Sequence, residues 1–158
     1  MSSKLKNYTT SIPAEKSIAE IEQLLLDFGA DNFMKKVDRE KRQFTEICFT
    51  FEIHNRQVPF KLPANIEKLR DYLYKEYIGK TTRPRKSKED FDKDAYNIAW
   101  RIIKDWVHAQ LSIIKTEMVE AEEVFLPYVM IDDKQTFSQK FMSGAMDKML
   151  PEFTMGDS

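Results

Sequence analysis

The chain holds one cysteine, Cys48, and two histidines, His54 and His108, in 158 residues. One thiol cannot close an internal disulfide, and this set assembles neither a cysteine-rich nor a histidine-rich zinc site. The four glycines, at 29, 79, 144 and 156, are scattered, so no glycine-rich loop exists to cradle a phosphate. No apolar run approaches the ~20 residues of a membrane-spanning helix. The opening Met1-Ser2-Ser3-Lys4-Leu5-Lys6 carries no hydrophobic stretch, which reads as no signal peptide, no membrane partner and a cytoplasmic protein. A net charge of −1 argues against a strongly basic nucleic-acid binder. Neither a cofactor nor a metal is expected.

Charged residues at 32% and hydrophobic ones at 42% are ordinary for a globular chain. The length suits one domain over residues 1–150, with 151–158 as a flexible tail. Net charge hides an asymmetry. Residues 1–88 hold 18 Lys/Arg against 12 Asp/Glu, whereas residues 89–158 hold 7 against 14. Such a split can orient a protein on a phosphate backbone, or the two halves can pair with each other on folding.

The strongest pattern predicts a helix from Ser87 to Glu123. Ala95, Ile98, Ile102, Trp106, Ala109 and Ile113 form one apolar stripe; Tyr96, Trp100, Ile103, Val107, Leu111, Ile114 and Met118 form a second. Asn97, Arg101, Lys104, His108, Ser112 and Lys115 leave a narrow polar seam. A helix so apolar is buried on most sides and forms the spine of the fold.

Around it, Tyr8–Ile12 reads as a short strand stopped by Pro13. Ser17 and Glu20 read as a capping box for a helix closed by Gly29. A weak strand is expected near Asp31–Val37, then a polar turn from Asp38 to Arg42. Strict alternation in Ile47-Cys48-Phe49-Thr50-Phe51-Glu52-Ile53 marks the best strand. Val58–Leu62 reads as an edge strand because of Pro59, and Pro63-Ala64 opens a helix to about Gly79. Ser87 and Asp90 suit a cap, Phe125-Leu126-Pro127-Tyr128 breaks the long helix, and a last amphipathic helix is expected through Met149. The resulting α+β plan is a small antiparallel sheet (β-α-β-β-β-α) packed on helices, with one long buried C-terminal helix and a short terminal one.

Four blocks look familiar: Ser17-Ile18-Ala19-Glu20-Ile21 ahead of Phe28-Gly29-Ala30; Phe60-Lys61-Leu62-Pro63-Ala64; Ala99-Trp100-Arg101-Ile102-Ile103-Lys104-Asp105-Trp106; and Val124-Phe125-Leu126-Pro127-Tyr128. Taken in order they span residues 8–130, and on them the chain resembles a family of short phage and mobile-element proteins to which no activity is attached. The resemblance implies such an origin and transfers no catalytic residue.

Candidate chemistry is sparse, and a non-enzyme is expected. His108 has no obvious partner on its helix, and His54 falls in a turn. Glu46 and Glu52 lie six residues apart on a strand, ~20 Å, too far to share an ion unaided. Cys48, flanked by glutamates, lacks a thiolate-stabilising neighbour. The basic turns and loops are better placed, since long side chains there can grip phosphates. Lys35, Lys36, Arg39 and Arg42 form one row. Arg83, Arg85, Lys86 and Lys88 form another, in a nine-residue stretch, 80–88, with five basic residues and no acid. The expected function is nucleic-acid binding, to DNA or RNA, without sequence specificity. The alternative is a non-catalytic interaction module (adaptor, inhibitor or oligomer component) using Phe137, Phe141, Met142 and Met149 against a protein partner or a second copy, or else that segment covers the spine helix within its own chain.

Overall fold

Alternating apolar residues at Ile47, Phe49, Phe51 and Ile53 build the centre of an antiparallel sheet. The computed structural model describes residues 11–152. In it, β1 (Asp31–Asp38), β2 (Gln43–Ile53) and β3 (Arg56–Pro63) form a meander in the order β1-β2-β3. Helices α1 (Ala14–Phe28), α2 (Ile66–Lys80) and α3 (Asp92–Lys115) accompany the sheet. Short helices α4 (Ala121–Phe125) and α5 (Phe137–Met142) finish the chain, giving an α+β fold.

Cross-strand pairing fixes the two sheet faces, because directly opposed residues share a side. Phe49 faces Phe60 and Ile47 faces Leu62, all four buried. These side chains share one buried cluster with Ile18, Ile21 and Leu25 of α1 and with Ala95, Ala99, Trp100 and Val107 of α3. On the outer face Cys48 stands between Met34 and Lys61, and Glu46 opposes Lys36. β3 is an edge strand, as Pro59 predicted. Its rim is covered in part by Val129, bridged to Phe60, and by the Met130 N–H, which donates to the Pro59 carbonyl at 2.8 Å.

The expected first strand fares differently. Tyr8 to Thr10 lie outside the described residues, and Ser11 and Ile12 are not strand. Helix α1 begins at Ala14, a turn before the expected cap at Ser17, with Pro13 at N-cap. Its first N–H is taken by Asn97 Oδ1 of α3 at 3.0 Å, a cap supplied from 83 residues away. Ser17 is therefore interior, fully buried, with its hydroxyl unpartnered. Gly29 closes the helix at φ 110°, and the Ala30 N–H returns to the Leu25 carbonyl at 2.9 Å, as a left-handed stop requires.

Helix α3 also departs from expectation: it stops at Lys115, and Glu117 turns the chain at φ 63°. A helix straight through to Glu123 would carry Phe125 ~15 Å past the end of α3. Folded back, Phe125 is wholly buried, its ring 5.9 Å from Phe51, 6.0 Å from Phe60 and 6.0 Å from Trp106. Burying a phenylalanine outweighs the ~1–2 kcal/mol of a left-handed non-glycine residue. Met118, assigned to the spine's apolar stripe, is 75% exposed in that turn. The last helix is likewise shorter than expected. Thr136 and Gln139 cap α5 reciprocally, but Gly144 at φ 83° ends the run before Met149. Rather than covering α3, α5 rests on the 3-10 turn Leu126–Tyr128.

Two side chains bind the spine to the sheet. Trp100, fully buried, donates Nε1–H to the Phe44 carbonyl at 3.0 Å. The Tyr96 hydroxyl accepts from the Phe44 N–H at 3.2 Å and donates to Glu15 at 3.1 Å. Burial, reinforced by the Glu15 charge, pushes the Tyr96 phenol up to about 12, against the pull of the Phe44 N–H. A phenol raised on folding stabilises fully below its ordinary value near 10, and that contribution is lost as pH climbs to about 12. Tyr96→Phe, which strands the Phe44 N–H, is expected to cost about 1–3 kcal/mol in urea unfolding at neutral pH. The same variant should flatten the alkaline loss of stability between pH 10 and about 12; a wild-type curve flat over that range contradicts the assignment.

Candidate nucleic-acid interface

The two basic segments meet at the N-terminal end of α3. The first is the turn between β1 and β2, which Asp38 organises by accepting the N–H groups of Glu40 and Lys41 at 3.0 and 3.2 Å. Arg42 leaves that turn at φ 53°. Lys41 then reaches across to Asp92, 3.8 Å away, and to Glu67 at 3.9 Å. The second segment, residues 81–87, leaves α2 and enters a 3-10 turn, Lys88–Phe91, directly before Asp92. Ser87 and Asp90 cap that turn reciprocally, as their spacing predicted.

Ion pairs divide the eight predicted cations. Lys35 is bound to Glu22 of α1 at 2.9 Å and lies 5.0 Å above the Phe44 ring. Lys88 pairs with Asp71 at 3.5 Å. Arg70, which stands in no basic run of the sequence, holds both Asp71 and Asp92, so Lys41, Arg70 and Lys88 face Glu67, Asp71 and Asp92 in a nearly neutral lattice. Lys36 is not at the turn but on the outer sheet face opposite Glu46. Lys86 lies 5.6 Å over Phe91. Arg39, Arg42, Arg83 and Arg85 are exposed, and among the described residues none has an ion-pair partner. Beside the first turn a cleft of about 290 Å³ is lined by Asp38, Lys41, Asn65, Glu67 and Lys68. Its mixed charges match no single anion.

A missed residue organises the second segment. The Tyr77 hydroxyl accepts the N–H groups of both Arg85 and Lys86. In sequence Tyr77 shows only as the last member of the apolar stripe Ile66, Leu69 and Leu73 of α2, and its spacing ahead of the basic run is the one signal available.

The other candidates are accounted for structurally. His108 lies in a groove of about 380 Å³ between α1 and α3, where the Ser112 hydroxyl donates to the His108 carbonyl at 2.8 Å rather than to the imidazole. Glu46 faces Lys61 at 3.9 Å, and the Lys61 ammonium also donates to the Lys134 carbonyl at 3.1 Å. Among the described residues no cluster of His, Cys, Asp and Glu is arranged to hold a metal, and no helix is long and apolar enough to cross a membrane. Of the predicted partner-binding residues, Phe137 is half-buried, whereas Phe141, Met142 and Met149 are exposed. The chain matches no protein-family model, no curated protein and no solved structure.

Cys48 has a definite chemical character. Burial pushes its thiol up and the Glu46 carboxylate adds to this, opposed by Lys61 and Lys36. Fewer thiolates at neutral pH mean slow alkylation. Iodoacetamide should modify Cys48 in the folded protein several-fold more slowly than in urea; equal rates would refute this environment.

Proposed function

We propose that this protein binds nucleic acid, DNA or RNA, without sequence specificity, as an accessory protein of phage or mobile-element type. The single observation that carries the reading is the set of four exposed, unpaired arginines (Arg39, Arg42, Arg83 and Arg85) on two segments joined at one end of α3. Guanidinium groups form two-pronged hydrogen bonds to phosphate oxygens, and their charge is permanent. Of the neighbouring lysines, Lys35, Lys41 and Lys88 are paired with carboxylates, so the four arginines, with Lys86 beside them, hold the charge still available to a polyanion. The far end of α3 is acidic: Glu117 follows its last turn, ~35 Å from its start by helix rise, and Glu120, Glu122 and Glu123 lie on the segment that folds back from there. That separation turns the acidic end away from a bound phosphate backbone. The phage attribution is supported by the four sequence blocks alone.

The test is fluorescence anisotropy of labelled DNA and RNA at rising salt. Wild-type affinity should fall steeply with salt, at about 0.9 in the log–log slope per phosphate contacted on duplex DNA. Arg83→Glu with Arg85→Glu should weaken binding at least tenfold and reduce that slope by roughly 2, with thermal stability unchanged. Affinity equal to wild type in this variant rejects the site.

The exposure of Met142 (80%) and Met149 (75%) favours a second reading, an interaction surface for another protein or a second copy. Met142→Lys with Met149→Lys should leave the melting temperature in place and reduce self-association in sedimentation velocity. Identical sedimentation of wild type and variant at every concentration counts against self-association.

A further inference from the structure

The segment 81–87 is anchored along its main chain. Two consecutive N–H groups, of Arg85 and Lys86, donate to the Tyr77 hydroxyl at 2.8 and 3.2 Å. The Ser87 N–H goes to Asp90 Oδ2 at 2.8 Å, and the Arg83 N–H to Thr81 Oγ1 at 3.4 Å. Tyr77 is itself seated, its ring 5.4 Å from Phe91 and 6.5 Å from Tyr74. The backbone is thus fixed while the guanidinium heads of Arg83 and Arg85 stand in solvent. Ordering a charged loop costs affinity when it happens on binding; here the ordering is complete beforehand.

These contacts also decide what the loop can read. Stacking on a base needs an open ring face. Tyr74, Tyr77 and Phe91 are turned on one another, with the Lys86 ammonium over Phe91. The central row of the outer sheet face, built on Glu46, Cys48, Thr50 and Glu52, supplies no aromatic alternative. What remains recognisable is the phosphate array, which is densest and stiffest in a duplex.

We infer that Tyr77 is the positioning residue that holds Arg83 and Arg85 ready for the phosphate backbone of a double-stranded nucleic acid, an inference that rests on the phosphate-binding reading above. The hydroxyl acts through the Arg85 and Lys86 amides and touches no ligand itself. Tyr77→Phe removes one oxygen from a half-buried ring and changes no charge, so it separates loop order from electrostatics.

The experiment titrates the full-length chain, wild type and Tyr77→Phe, into a short labelled duplex and into its single strand across a range of salt. Duplex should bind more tightly than single strand. Tyr77→Phe should weaken duplex binding roughly three- to tenfold while the salt slope stays at the wild-type value, because the same phosphates are neutralised. Hydrogen exchange should accelerate at the Arg85 and Lys86 amides and nowhere in the core. Wild-type affinity in Tyr77→Phe, or a single strand bound as tightly as duplex, overturns the inference. Absence of any binding by the wild type removes the phosphate-binding reading itself, which is a separate result.

Discussion

Everything else in the structure hangs on the main chain of one residue, Phe44. It lies where β2 outruns β3, whose last bond to β2 is the Ala64 N–H on the Thr45 carbonyl at 2.8 Å, so beyond it the N–H and C=O of Phe44 have no strand on that side. Groups of this kind are costly to leave unpaired away from water. Tyr96 and Trp100 stand one helical turn apart, which brings both to the same residue, one to each polar group. The sheet and the spine helix are thereby held in a single register. From there the order spreads: Asn97 of the spine caps α1, and Asp92 at its start ties Arg70 of α2 and Lys41 of the β1–β2 turn.

Charge is organised by the same geometry. A count along the chain makes the first half basic, yet much of that charge is spoken for by carboxylates that arrive from other elements: Glu22 for Lys35, Asp71 for Lys88, Asp92 and Glu67 for Lys41. Exposed pairs of this sort add little stability, with a median of about 0–1 kcal/mol. Their consequence is selective. They cancel Lys35, Lys41, Arg70 and Lys88 near the helices and leave Arg39, Arg42, Arg83, Arg85 and Lys86 without a carboxylate among the described residues, so a diffuse asymmetry becomes a more localised one.

Much of this was legible in the sequence wherever the signal is local. The alternation at Ile47–Ile53, the glycine stop at Gly29, the cap at Ser87 and Asp90 and the edge proline at Pro59 each follow from rules that need only a few neighbouring residues. The failures share a cause. Ser17 carries a good capping pattern, but Asn97, distant in sequence, caps the helix a turn earlier. Nothing local interrupts the helix at Lys115; the turn at Glu117 exists because Phe125 belongs in the core. The arginine segments were visible as composition, whereas their division into neutralised and unpaired members depended on tertiary ion pairs. Tyr77 could be named from sequence but not given its role, since its hydrogen bonds reach forward into a loop that only the folded chain brings back.

The two tryptophans give the molecule an optical vocabulary of its own. Trp100 is enclosed and hydrogen-bonded to the sheet, while Trp106 is half-buried, packed edge-on against Phe125 at 6.0 Å and Tyr128 at 5.3 Å. Though only six positions apart on one helix, they report on different events. Emission from Trp100 follows the docking of helix and sheet; emission from Trp106 follows the folding back of the chain beyond Lys115. Spectra of the two single-tryptophan forms would resolve in time whether the C-terminal turn closes with the core or after it, without any label being attached.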